Sequence, residues 1–173
     1  LASLFRRLAG ASYETLPAAV LAMHEGAYPR RFTGHSSVER GTSWLARLLG
    51  AIASLPPAAQ SMPASITITQ RGEGERWARD FDGHPLVSWF GSEDGLLAEH
   101  VGPHIFFFEL TVADAALVWR LVRVRSLGVP LPASWFSVRP RESDDAGHYR
   151  FDVRVELPLA GLLVHYRGTL DAA

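Results

Sequence analysis

Between Tyr149 and Leu157, apolar and charged residues alternate without exception. Tyr149, Phe151, Val153, Val155 and Leu157 stand against Arg150, Asp152, Arg154 and Glu156. A contrast with period two specifies a β-strand with one face in an apolar core and the other in water. Shorter segments of the same kind recur at 31–40, around Ile66 and Ile68, and at 75–81, 86–90, 96–100, 105–112 and 117–125. A weak one at 135–141 precedes 149–157 and 162–170. Turn signals such as Gly72-Glu73-Gly74, Asp82-Gly83 and Gly102-Pro103 separate them. A long antiparallel meander removes its exposed edges by closing on itself.

The expected fold is therefore mainly β (α+β), with about ten antiparallel strands closing into a calycin-like barrel or half-barrel. A helix-grip-like curved sheet on a long helix is the alternative. It normally requires a C-terminal helix, and this chain ends in a strand at Leu170.

Helical signals are confined to two places. Leu4, Phe5 and Leu8 predict a short helix ended by Gly10, and Thr15 is expected to cap a second, with Pro17 in its first turn and Gly26 after its end. Between the first two strands, Thr42 or Ser43 is expected to cap a third helix. Trp44, Leu45, Leu48, Leu49, Ile52 and Leu55 fall at helical spacing before Pro56-Pro57. Arg47 is its only charge, so most of its circumference should be covered. The chain reads as a single domain, 1–173. Residues 1–27 form a helical segment, and 28–173 a β-meander with an inserted helix at 42–55.

Composition excludes several functions. A chain of 173 residues needs no metal or disulfide staple to bury a core. It has no Cys, which removes thiol nucleophiles and zinc ribbons. Its formal net charge of -1 offers no global field for nucleic acid. All 17 basic residues are Arg, as a GC-rich genome would give. No run reaches the ~18 apolar residues of a membrane span. Paired Arg6–Arg7 is not followed by the apolar core of a secretory signal. A cytoplasmic location is expected. The opening Leu1 is what a piece cut from a longer polypeptide would show.

Four phrases together carry a resemblance. They are Arg31-Phe32-x-Gly34, Glu75-Arg76-Trp77-x-Arg79-x-Phe81, Glu99-x-x-Gly102-Pro103 with Phe106 and Phe108, and Tyr166-Arg167-Gly168. In these the chain resembles a bacterial family known as domain of unknown function 4166, from about Leu16 to Leu170. The resemblance implies a small domain of uncharacterised function, one that in this family often follows an NAD(P)-binding domain of the saccharopine dehydrogenase type. It brings no catalytic residues. The dinucleotide fingerprint itself is missing, because Gly72-Glu73-Gly74 turns a hairpin with no helix behind it.

Candidate site residues come from strand faces. Phe106 and Phe108 share a face and suit the wall of an apolar cavity; Phe107 and Glu109 point the other way. Trp77, Arg79 and Phe81 share a face, and an Arg beside aromatic rings can hold a polar headgroup. On the last strand Tyr166 and Arg167 are further candidates, although consecutive residues point to opposite faces. The expected ligand-binding set is Trp77, Arg79, Phe106, Phe108, Tyr166 and Arg167, under a lid helix contributing Trp44, Leu48 and Ile52. Glu99, His100 and His104 flank one turn, but their side chains diverge, so no metal site is expected. Asp144-Asp145 lacks the spacing of a calcium loop. No catalytic residue and no cofactor is expected.

The favoured function is binding of an apolar or amphiphilic small molecule in the barrel. The alternative is a protein-interaction or accessory domain of an NAD(P)-dependent oxidoreductase, docked on a dehydrogenase-like partner without a ligand of its own. An enzyme is the third reading. A cavity of ~300 Å3 or more would favour the first, and an exposed apolar patch the second.

Overall fold

The computed structural model describes residues 2–53 and 55–173. Three helices are α1 (Leu4–Ala9), α2 (Ala18–His24) and α3 (Trp44–Ile52). Eleven strands follow the order β1 (Arg30–Arg40), β2 (Ala59–Arg71), β3 (Gly74–Phe81), β4 (His84–Glu93), β5 (Leu96–Val101), β6 (His104–Ala113), β7 (Ala116–Ser126), β8 (Val129–Leu131), β9 (Ser137–Asp145), β10 (His148–Leu157) and β11 (Gly161–Ala172). Every pairing is antiparallel. Ten strands form a closed ring, and β8 lies outside it against β7. Closure excludes the curved-sheet alternative.

The ring closes tightly at one seam and loosely at another. Between β1 and β11 nine consecutive residue pairs are in register, from Phe32↔Ala172 to Arg40↔Val164. Gly168 makes that approach possible. A Cβ there would lie 2.1 Å from the His35 carbonyl oxygen and 2.8 Å from the Phe151 ring. Between β7 and β9 only Leu117↔Glu142 and Val118↔Arg141 are in register. Further along, β7 pairs with β8 instead. The barrel wall parts there, and Phe136 packs edge-on against Phe106 at 6.1 Å across the gap.

The inward faces of the strands are mostly apolar, as their alternation demands, with polar residues entering on β3, β4, β5 and β9. Phe32, Ile66, Trp77, Phe90, Leu97, Phe108, Trp119, Phe151 and Leu170 all contribute to one core. One strand has both faces buried. Phe107 points outward, yet is covered by the guanidinium groups of Arg123 (4.0 Å from the ring centre) and Arg125 (5.2 Å). Cations over an aromatic face do here what a covering helix would do elsewhere.

The N-terminal segment plugs one end of the barrel. Ser3 caps α1, accepting a hydrogen bond from the Arg6 backbone N–H, and Gly10 ends it at φ 71°. Phe5 enters the barrel, its ring 4.0 Å from His24, 5.5 Å from Trp77 and 5.6 Å from Trp119. Two expectations are corrected here. Thr15 does not cap α2: it closes a 3-10 turn over Gly10–Thr15, donating its hydroxyl to the Ser12 carbonyl. The helix begins after Pro17, which has no side-chain cap to offer. The proline-broken loop expected at 128–132 contains β8, because Pro130 sits on an outer edge where its missing N–H costs nothing.

Candidate functional site

Inside the ring, between the plug and the opposite end, lies a cavity of about 230 Å3. Met23, Trp77 and Trp119 bound it at the plug; Ile66, Phe106 and Phe151 line its middle. Ala53, Leu55 and His104 stand at the far mouth. Its wall is overwhelmingly apolar, which follows from the inward alternation of every strand.

Polar groups enter this wall at few places. Arg79 on β3, Ser88 on β4 and Glu99 on β5 face inward from three adjacent strands. Arg79 Nη1 donates to Ser88 Oγ (2.8 Å), and Ser88 Oγ donates to Glu99 Oε1 (2.7 Å). Arg79 Nη2 lies 3.4 Å from the same carboxylate. The pair is largely withdrawn from solvent, so each charge depends on the other. Arg79 also lies 5.2 Å from the centre of the Trp77 ring.

Tyr166 completes the group. Burial pushes its phenol from 10.0 to about 12, with Arg79 pulling it down and Glu99 pushing it up. It is therefore a neutral O–H donor at physiological pH. The local charge sums to zero, because Arg79 is balanced by Glu99.

Two further polar clusters belong to the plug. His24 Nε2 and Glu142 Oε2 share a hydrogen bond of 2.5 Å, and both residues are buried. Glu142 reaches the cavity wall beside Tyr149. Glu75 is only 1% exposed and accepts from Tyr28 Oη, Arg30 Nη2 and Trp77 Nε1, each at 2.7 Å. These anchor the N-terminal segment to the barrel.

Of the residues singled out in the sequence, Trp77, Arg79, Phe106, Phe108 and Tyr166 all line the cavity. Arg167 is corrected. It points outward, is 47% exposed, and donates to Glu39 at 3.0 Å. The pleat that turns Tyr166 in turns its neighbour out.

The lid is corrected too. Helix α3 rests on its small residues, Ala46 and Gly50, while Trp44 is 76% exposed and Leu48 half exposed. The cause is Arg40, whose guanidinium lies directly under Gly50 and donates to the carbonyls of Leu55 and Pro56. No larger face could sit there. The side chain of Ile52 lies outside the described residues. Ala53 and Leu55, not Trp44 and Leu48, reach the cavity.

Glu99, Ser88, Glu75 and Glu142 were not anticipated as a site. The available signal was parity. Glu75, Trp77, Arg79 and Phe81 alternate in one register, so a strand that buries Trp77 also buries Glu75. No cluster of three His, Asp or Glu that could hold a metal ion occurs among the described residues. No described helix is long and apolar enough to cross a membrane.

All four tyrosines have raised pKa values. Burial is the leading cause at Tyr13, Tyr28, Tyr149 and Tyr166, and Tyr28 is pushed up to about 12. In the unfolded chain these phenols ionise near 10. Their folded pKa values are higher, so their contribution is intact below pH ~10 and is lost as pH rises through ~12. Tyrosinate absorbance is expected to stay low in the native protein at pH ~10 and to rise together with loss of circular dichroism. Tyrosinate appearing in a still-folded protein at that pH would contradict these environments.

Fold and interior together define a class: a small closed antiparallel barrel, plugged at one end, with an apolar interior and a charge-balanced polar group. The family model for Domain of unknown function (DUF4166) matches residues 16–170, and the chain belongs to that family. No curated protein matches it.

Proposed function

We propose that the barrel binds a small, uncharged amphiphile, its apolar part in the cavity and its polar head against Arg79, Glu99, Ser88 and Tyr166. The observation that carries this reading is an unfilled apolar interior into which Arg79 and Glu99 project as a self-neutralised pair. A carboxylate head would compete with Glu99 for Arg79 and suffer its repulsion. A hydroxyl or amide head can accept from Arg79 or Tyr166 and donate to Glu99 without changing the charge. Insertion of α3 between β1 and β2 supports reading the barrel as calycin-like.

Volume limits the ligand. Apolar cavities of ~150 Å3 take benzene. The present 230 Å3 therefore suits about nine or ten non-hydrogen atoms at similar packing, such as a medium-chain alcohol or a small aromatic amide. The space falls below the ~300 Å3 typical of drug-sized sites, the size set above as favouring a binding module, and confines the reading to smaller ligands. An accessory domain docked on a dehydrogenase-like partner would need no such space.

Native mass spectrometry of freshly purified protein tests the proposal. The expected result is a low-mass amphiphile that leaves on denaturation, and that is absent from Val153→Phe, which fills the cavity from β10. A bare chain, bare again after incubation with 1-octanol, would overturn it.

A further inference from the structure

The end of the barrel opposite the plug has a composition unlike the rest of the surface. Seven large apolar side chains are exposed among the described residues: Trp44, Leu48, Val122, Leu127, Val129, Trp135 and Leu159. All except Val122 lie at that one end. Helix α3 follows the last residue of β1, where Arg40 opposes Val164. Ser43 Oγ donates to the Ala160 carbonyl at 2.7 Å, which sets α3 beside the β10–β11 turn carrying Leu159. Leu127 N–H donates to the Pro103 carbonyl at 3.0 Å. The chain then runs through β8 and Trp135 into Ser137, which opposes Glu156 just before that same turn. The six side chains thus form an arc around the cavity mouth, spanning the gap where β7 and β9 part.

The arc is also depleted of charge. Arg47 is the only charged residue in 41–59, and 127–138 and 157–164 contain none. Behind the arc arginine outnumbers the carboxylates: Arg40, Arg47, Arg139 and Arg154 stand against Glu39 and Glu156, with Arg154 paired to Glu156 at 2.7 Å. Arg47 and Arg139 form no ion pair among the described residues, and Asp80 and Asp82 lie across the mouth at the β3–β4 turn. Arg139 and Arg154 stand directly opposite each other on β9 and β10.

We propose that the mouth end docks on an anionic lipid bilayer, with Trp44, Leu48, Leu127, Trp135 and Leu159 entering the headgroup region and Arg47 and Arg139 behind them facing lipid phosphates. Two tryptophans on separate segments suit the water–hydrocarbon boundary, where an indole keeps its ring in an apolar layer and its N–H wet. Isolated apolar side chains raised on loop tips around an opening penetrate a soft surface easily. A second copy would have to match them in shape over roughly 800 Å2 per partner. Docking presents the mouth to the phase richest in amphiphiles. It stands on the rim alone, and would hold even if the barrel carried nothing.

The test is co-sedimentation with vesicles of phosphatidylcholine containing phosphatidylglycerol, compared with pure phosphatidylcholine vesicles. The protein is expected to bind the mixed vesicles and to lose affinity as salt screens the arginines. A Trp44→Ser, Trp135→Ser, Leu159→Ser variant should bind about a hundredfold more weakly, with an unchanged melting temperature because the three sites are exposed. Arg47→Glu with Arg139→Glu should remove the preference for the anionic lipid. Failure to bind either vesicle would overturn the proposal, as would binding untouched by these substitutions. Concentration-dependent dimerisation abolished by the serine variant, without vesicle binding, would assign the rim to a second copy instead. Ligand capture measured without vesicles reports separately on the cavity.

Discussion

Glu75→Ala is expected to cost about 3–5 kcal/mol, because it leaves a buried cation without its counter-charge. Arg30 is almost fully buried, and its guanidinium has Glu75 at 2.7 Å as its ion-pair partner. The same carboxylate accepts from Tyr28 and Trp77, so alanine strands three donors at once. Against a total stability of about 5–15 kcal/mol for a natural domain, this is a large fraction. The melting temperature should fall by about 10 °C or more. Glu75→Gln keeps the shape and an acceptor but not the charge, and is expected to fall between wild type and alanine. Chemical denaturation of the three proteins checks the order. A loss below about 0.5 kcal/mol for Glu75→Ala, the range of ordinary surface changes, would show that the network contributes little.

The second large effect is expected at the plug. Phe5 is fully buried and packs on His24, Trp77, Phe90 and Trp119. Phe5→Ala removes the ring from a closed barrel whose walls cannot collapse inward, so the cost should be about 3–5 kcal/mol. The vacated space adjoins the cavity at Trp77 and Trp119, so the variant should also accept larger apolar probes than wild type. Leu159→Ala, on the exposed β10–β11 turn, is the control and should change stability by less than about 0.5 kcal/mol. Matching urea midpoints for Phe5→Ala and Leu159→Ala would contradict the reading of the N-terminal helix as a plug.

The strands were legible because alternation is a direct consequence of one buried face. Tyr149, Phe151, Val153 and Val155 turn inward as the alternation predicts, until a register shift after Val155 ends it, and the same parity turns Trp77 and Arg79 inward together. The meander rhythm carried the closure as well. What a single strand cannot disclose is its partner across the ring. Glu99 meets Arg79 only because β3, β4 and β5 fall in one register, a relation between segments 20 residues apart. The His24–Glu142 contact spans 118 residues and depends on the plug entering the barrel.

Helix α3 misled for a different reason. Its apolar periodicity predicts burial, but a covered face also needs an empty site to occupy, and Arg40 already fills it. Its large side chains are left outside, where they join Leu159 and Trp135. The β8 strand escaped notice because prolines at 130 and 132 read as breakers. That rule holds inside a sheet and fails on its edge.

The central claim is that the interior is a site for a small uncharged amphiphile. The most direct measurement is an amide NMR titration with 1-octanol, with octanoate in parallel. The account predicts saturable shifts for 1-octanol concentrated at Arg79, Ser88, Glu99 and Tyr166, weaker ones for octanoate, and none for Val153→Phe. Shifts confined to the rim around Trp44 and Trp135, or no shifts at all, would contradict it.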